Sequence, residues 1–569
     1  MIDQVQDRDD YVQKIVKSDA SKKLIVAGPG TGKTHTFKQI LYGKDPKKNL
    51  VMTFINKLTD DLKCDLHKWA KVMTFHKYSL WILKRIMPDW ITYPQVIDLI
   101  CYDLRIKADN VKNLFHNMIS DDVRIKCYLT RSSYYRALSF NDAIYRVVTQ
   151  LKLKNELPIY ENILIDEFQD FSILEVELIK QLENHGNIII VGDDDQAVYQ
   201  GKSEPGRLIK EFYKSGDYEI FELPYCNRCP KVIVDIVNEI IFKAVKKGHL
   251  KDRIHKPFTA FEIGNEILNS YYPKINVYKM KSLDALSYYL PNLLKIIIDK
   301  EIDDFNAKDS NDPIALVIGG RHFLREIDAE LSTLLPDRYL YKKTEIFCYH
   351  LYDAYKYLLE ETYSNLGWRI IMEIDIFEPR EKRRIIKKSL DNIDLEDLLP
   401  KEYIKKHKLA LDYFSVLYKT KQNDLNAETN LKLLIGDCET CYIIDKCVEN
   451  EESDSCSDKI PILLTSFQGC KGLAADYVFI IGFNNGVIPY RSNMIKDIEI
   501  CELIVALTRT RKECYLMSVN NYKGIPQRVS SFASWIPNKY KKEFNSLSIN
   551  DVKDMIKESL EEDQNDIPF

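Results

Sequence analysis

Nine short apolar runs, none longer than a strand, constrain this chain most. Leu24–Ala27, Leu50–Phe54, Lys71–Phe75, Ile163–Asp166 and Ile188–Gly192 lie before residue 200. Ala315–Ile318, Ile462–Phe467, Tyr477–Phe483 and Cys514–Val519 lie after residue 310. They are rich in β-branched residues and do not alternate with polar ones. A strand of that kind is buried on both faces, as in a parallel sheet covered by helices. Most runs are followed by a turn and a helix-compatible stretch, so two α/β sheets are the economical reading. With 569 residues and 45% hydrophobic composition, the chain has material for more than one core.

Two stretches interrupt the pattern. Residues 81–138 and 346–458 are aromatic, charged and helical in periodicity, and read as insertions into the two α/β units. The second is locally basic, with 10 Lys/Arg against 6 Asp/Glu between Arg380 and Lys408. The expected division is 1–80 with 139–215, insertion 81–138, 216–345 with 459–550, insertion 346–458, and a solvated acidic tail over 551–569. The chain carries 81 Lys+Arg against 85 Asp+Glu, so any nucleic-acid site is a local groove, not a polybasic coat. No apolar run reaches the roughly 18–20 residues that span a bilayer. The acidic start, MIDQVQDRDD, does not read as a secretory signal. With 13 cysteines and no export signal, a reducing, cytoplasmic setting is expected.

The first run leads into Ala27, Gly28, Pro29, Gly30, Thr31, Gly32, Lys33 and Thr34. Glycines there let backbone N–H groups turn inward around phosphate oxygens, and the following helix offers its N-terminus to the same anion. Lys33 would neutralise the β- and γ-phosphates, and Thr34 would hold Mg²⁺. The run ILID ends in Asp166 and Glu167 at the carboxyl edge of a strand, where open α/β sheets bind ligands. Asp166 suits the metal, and Glu167 suits the water that attacks the phosphate. A third run ends in GDDDQ, placing Gln196 as a sensor of the γ-phosphate.

Taken together the motifs resemble superfamily 1 DNA helicases of the UvrD/Rep-like group. Asp166–Asp170 (DEFQD), Gly192–Tyr199 (GDDDQAVY), Leu223–Pro230 (LPYCNRCP), Thr465–Leu473 (TSFQGCKGL) and Val505–Arg511 (VALTRTR) follow the family's order. The resemblance implies two RecA-like P-loop NTPase motor domains with parallel sheets, each carrying a mainly helical insertion. It makes Arg228 a γ-phosphate contact and Arg509 an arginine finger from the second motor domain. Gln13, 14 residues before Ala27, would read adenine, with Tyr225, Lys471 and Gly472 also at the nucleotide. Thr53, Phe54, Asn56, Lys57, Thr74, Phe75, His76, Tyr199 and Thr465 would touch DNA. Leu138–Asp142 marks the return from the first insertion.

The implied function is an ATP- and Mg²⁺-dependent helicase moving 3′ to 5′ on single-stranded DNA and acting at single-strand/duplex junctions. Its rivals are an ATP-gated DNA-binding switch serving a partner nuclease or repair complex, and a small-molecule phosphotransferase. The chain departs from the family at Gly201, Lys202 and Asn227, where a base-stacking aromatic, an arginine and an adenine-stacking aromatic are usual. It departs again at Ala474 and Gln468, which replace Glu and His. Cys438, Cys441, Cys447 and Cys456 are spaced to hold zinc or an iron–sulfur cluster, or are reduced thiols of an acidic loop. Cys226 and Cys229, beside Arg228, read as packing residues.

Overall fold

All nine apolar runs contain strands in the computed structural model, distributed over two parallel sheets. The structure describes residues 2–53, 62–63, 65–151, 157–199, 206–263, 266–307, 312–342, 349–375, 378–420 and 459–565. The first sheet has six strands in the order Lys71–Thr74, Asn49–Thr53, Asn162–Ile165, Asn187–Gly192, Lys22–Ala27 and Glu219–Leu223. The second has seven, in the order Tyr339–Tyr341, Ile462–Thr465, Ala315–Gly319, Ala475–Ile481, Thr510–Val519, Ile275–Met280 and Lys541–Leu547. Every pairing within both sheets is parallel. The architecture is therefore the α/β one expected, with a separate apolar core on each face of each sheet.

Burial explains which strands were legible. Asn49–Thr53, Asn162–Ile165, Ala315–Gly319 and Ile462–Thr465 are buried at every position, so both faces had to be apolar. Glu219–Leu223 is a half-exposed edge whose polar residues break the apolar run. It completes the first sheet beyond residue 215, where the sequence pattern places the end of the first α/β unit. Lys541–Leu547 is the corresponding edge of the second sheet, and it too is mostly exposed and polar.

Residues 551–565 correct the expectation of a solvated tail. They belong to helix Ile549–Asn565, whose Val552 and Ile556 are buried against helix Leu283–Ala307. The acidic composition misled because the two apolar positions are four residues apart, one helical turn, among many charges.

The described parts of the interrupting stretches are mainly helical. The first contains helices Val96–Leu104, Ala108–His116 and Val123–Tyr135, but also a two-residue parallel pairing of Ile91–Thr92 with Ala137–Leu138. The second contains Leu351–Leu359, Ser364–Ile374, Pro379–Ser389, Leu395–Leu398 and Lys401–Thr420. The two stretches share one core, and a buried ionic knot fastens them. Asp103 of the first accepts from Arg131 Nε at 2.9 Å, from the Tyr135 hydroxyl at 2.6 Å and from Arg369 Nε of the second at 2.9 Å. Arg131 also donates to Ser389 across the same boundary, to the carbonyl at 3.0 Å and to the hydroxyl at 2.8 Å. No described helix is long and apolar enough to cross a membrane.

Candidate active site

The carboxyl ends of three neighbouring strands of the first sheet build one wall of a cavity of about 520 Å³. Strand Lys22–Ala27 runs into the loop Gly28–Gly32, and helix Lys33–Leu41 starts immediately after it. Gly30 and Gly32 have φ of +70° and +88°, so the loop needs residues without a Cβ. A Cβ at Gly30 would also lie 2.6 Å from Cβ of Arg228. Pro29, Gly30, Thr31, Gly32, Lys33 and Thr34 line the cavity. Ala27 is the last strand residue, and Gly28 abuts the Phe258 ring behind the loop.

Asp166 and Glu167 follow strand Asn162–Ile165 and face the same space. Glu167 adopts φ +54°, a left-handed conformation uncommon for a residue other than glycine. Its Oε1 lies 3.6 Å from Lys33 Nζ, and its Oε2 accepts from Gln169 Nε2 at 2.5 Å. Burial, then the charge of Glu167, lifts the Asp166 carboxyl above the ordinary range. Burial opposes ionisation of Glu167 as well, but Lys33 and Lys471 outweigh it and hold that carboxyl well below its usual value.

A second wall comes from the turn after the first sheet's edge strand, which carries Arg228, and from segments within the second sheet. Arg228, Gly472, Arg509 and Arg511 line it, so both predicted arginines face the cavity floored by Lys33. Arg509 is 2% exposed and is gripped by the carbonyls of Val505 at 2.8 Å and Leu473 at 3.1 Å. Its Nη2 donates to Gln196 Oε1 at 3.2 Å, joining the two walls. Burial and the neighbouring Arg228 push Arg509 down to about 10, still cationic at neutral pH.

Lys471 departs from the expectation of a nucleotide contact. It does not line the cavity but lies buried behind it, paired with Asp170 and, at 3.4 Å, with Glu167. Its ammonium also donates to the Gln196 carbonyl at 2.9 Å. Two carboxylates and one carbonyl from the segments that follow strands of the first sheet hold it there.

A second cavity of about 320 Å³ adjoins the first, sharing Thr31, Gly32 and Asn227. Tyr225 lies on its wall, its hydroxyl donating to Asp7 at 2.6 Å. Gln13 does not, and is exposed. On helix Ile2–Lys17 the lining residues Arg8, Tyr11 and Val12 share one face, and at about 100° per residue Gln13 points away from it. Asn227 donates its backbone N–H to the Gly30 carbonyl at 2.9 Å and accepts from Arg8 Nη1 at 3.3 Å. The Arg8 guanidinium lies 4.6 Å over the Phe261 ring.

The residues read as DNA contacts divide. Thr53 and Thr74 are neighbours at the carboxyl ends of paired strands, and both are buried. Thr74 caps helix Phe75–Ile86, its hydroxyl accepting from Lys77 N at 3.2 Å. Phe75 is a core residue, 4.7 Å from the Phe171 ring, so it presents no surface for a base. Thr465 is likewise buried. His76 is partly exposed beside Phe140, and Tyr199 is partly exposed beneath Lys471. Phe54, Asn56, Lys57, Gly201 and Lys202 lie outside the described residues, as do Cys438, Cys441, Cys447 and Cys456. Cys226 and Cys229 are buried and stand side by side, the Cys229 N–H donating to Cys226 Sγ at 3.5 Å. Ala474 is buried, and Gln468 donates to Glu502 at 3.2 Å.

Sequence motifs do not mark the cations beyond the cavity. Lys256 and Arg253 are buried or nearly so against Asp193, Asp194 and Asp195. Nothing in HKPF signals this, because the partners are some 60 residues away in the chain.

The family model described as AAA domain matches residues 12–202. A "Probable DNA helicase II homolog" of Mycoplasma genitalium is 22% identical, over 90% of this chain and 85% of that protein. An "ATP-dependent DNA helicase Rep" of Buchnera aphidicola subsp. Schizaphis graminum is 22% identical, over 86% of this chain and 90% of its own. An "ATP-dependent DNA helicase UvrD1" of Mycobacterium tuberculosis is 23% identical over 40% of this chain and 38% of its own. A phosphate loop, an acidic strand end and two cavity-facing arginines stand together on two parallel sheets, and over most of its length the chain is similar to proteins named as DNA helicase II homolog and helicase Rep.

Proposed function

We propose that this chain is an ATP-driven DNA helicase that moves 3′ to 5′ along single-stranded DNA. The observation that carries the reading is one cavity lined together by Lys33, Asp166 and Glu167 and by Arg228 and Arg509. The phosphate loop would cradle the triphosphate, with Lys33 on its β- and γ-oxygens. The Thr34 hydroxyl and Asp166 form a hard-oxygen donor set beside the loop, suited to Mg²⁺, which would screen phosphate charge when bound. Glu167, held ionised, accepts a proton from the attacking water. The water oxygen bonds to the γ-phosphorus as its bond to the bridging oxygen breaks, and ADP leaves with that electron pair. Arg228 and Arg509 would stabilise the charge on the γ-oxygens. Because the arginines approach from the second wall, nucleotide presence and cleft closure are coupled, which is how hydrolysis becomes movement. We place the motor domains around the two sheets, with the helical stretches as their insertions.

One observation favours a second reading. The buried knot around Asp103 holds the two helical stretches together, as a DNA-binding switch serving a partner complex would need. The deciding experiment is an ATPase titration with single-stranded DNA, duplex and RNA, followed by strand displacement on tailed duplexes of both polarities. Stimulation by single strands with displacement on a 3′ tail is expected. Stimulation without displacement on either tail favours the switch, and no stimulation by any DNA removes both. In Arg509→Ala, hydrolysis should fall about 10³-fold while ATP binding persists; normal hydrolysis would overturn the two-walled site.

A further inference from the structure

Asp193, Asp194 and Asp195 follow strand Asn187–Gly192 and offer three carboxylates within 4.8 Å of one another. Such a cluster commonly invites a metal ion. Here the ammonium of Lys256 stands among them, 2.9, 2.6 and 2.7 Å from one oxygen of each. Lys256 is 7% exposed, and Arg253 closes the other side of Asp195 at 2.7 Å. The Ile254 N–H donates to the second Asp194 oxygen at 2.9 Å.

The consequence runs toward the nucleotide cavity. Asp193 places Oδ1 on Lys256, and its Oδ2 accepts from Gln196 Nε2 at 2.6 Å. A side-chain amide has two nearly isosteric ends, and only its partners decide which end points where. With Nε2 held by Asp193, Gln196 must present Oε1 to the cavity, where Arg509 Nη2 meets it at 3.2 Å. The segment carrying Lys256 touches the other parts of the site as well. Phe258 packs on Gly28 of the phosphate loop, and Thr259 and Ala260 pair with Tyr225 and Cys226, next to Arg228.

We propose that Lys256 is a positioning residue for ATP hydrolysis: it anchors Asp193, and through it aims the Gln196 amide at Arg509. The segment 253–260 is then a bracket giving the phosphate loop, the Arg228 turn and the Gln196 sensor a common support. The proposal rests on the hydrolytic reading given above. It assigns the acidic triplet to a protein cation, so the Gln196 amide is locked before nucleotide arrives.

The test is a double-mutant cycle on DNA-stimulated ATPase with Lys256→Met, Gln196→Ala and the pair. Lys256→Met should lower kcat about tenfold or more and leave KM for ATP within about threefold. The double variant should hydrolyse at the rate of Gln196→Ala alone, because a residue that acts through Gln196 has nothing left to position. Multiplying losses would overturn the proposal, since a merely structural lysine weakens each background equally. Should Lys256→Met fail to fold, Asp193→Asn with Gln196→Ala runs the same cycle under the same two outcomes. A wild-type protein without ATPase activity would remove both the hydrolytic reading and this one, whereas multiplying losses in an active enzyme remove this one alone.

Discussion

Glu502 shows how a single carboxyl reports its surroundings. It sits on helix Asp497–Leu507, and burial pushes it up to about 7, with the Gln468 hydrogen bond opposing and Glu499 adding to the rise. In the unfolded chain it ionises near 4.5. Between those values the folded state holds a proton that the unfolded state has lost, so this group's contribution to stability falls as pH rises. Glu502→Gln should therefore gain stability relative to the parent between pH 5 and pH 8, by about 2 kcal/mol. Paired thermal melts at the two pH values check this, and an equal difference at both would refute it. The opposite case is Glu167, kept ionised by two lysines although it is more deeply buried. Identity alone distinguishes neither carboxylate; the cations within a few ångströms do.

At the level of the element, the phosphate loop is a strand-to-helix turn whose shape excludes side chains. Gly30→Ala would combine a φ of +70° with a Cβ 2.6 Å from Arg228. Strain of that kind costs about 1–3 kcal/mol, and relief requires Arg228 or the loop to move. The expected outcome is a fall of about tenfold or more in nucleotide affinity, at 1.4 kcal/mol per factor of ten. Titration with a fluorescent nucleotide reads it; unchanged affinity would mean that the loop has slack. Elements also explain the reassigned threonine and phenylalanine. In Thr74 and Phe75 the same residues that end a strand begin a helix, so one is spent on the cap and the other on the core. Thr74→Ala should lower stability by about 1 kcal/mol, the usual cost of losing an N-cap, measured by chemical denaturation.

Across the whole molecule, two sets of buried ions join parts distant in sequence. Lys471, behind the cavity, and Arg509, on its wall, reach from segments of the second sheet to Glu167, Asp170 and Gln196, which follow strands of the first. Asp103 ties the helical stretches together through Arg131 and Arg369, all three nearly or fully buried. Removing one partner from such a group leaves a buried charge uncompensated, at about 3–5 kcal/mol. Asp103→Ala should lower the thermal midpoint accordingly and loosen the helical stretches, seen as faster amide exchange there and not in the sheets. A midpoint unchanged by the substitution would show that water reaches the knot and replaces the carboxylate.

Local chemistry determined what can be read along the chain. Strands buried on both faces, the glycine loop before Lys33 and the acids at a strand end each depend on neighbours within a few residues. Their physics is therefore complete in the one-dimensional record, whereas Arg509 was legible only through the family resemblance. The edge strand Glu219–Leu223, the packed helix after residue 549, the outward turn of Gln13, the withdrawal of Lys471 and the capture of Lys256 were decided only by tertiary structure. Each depends on which groups from remote segments come within hydrogen-bond or ion-pair distance. A cation's role is set by the nearest anion in space, and the folded topology alone brings Asp194 to Lys256 across 62 positions.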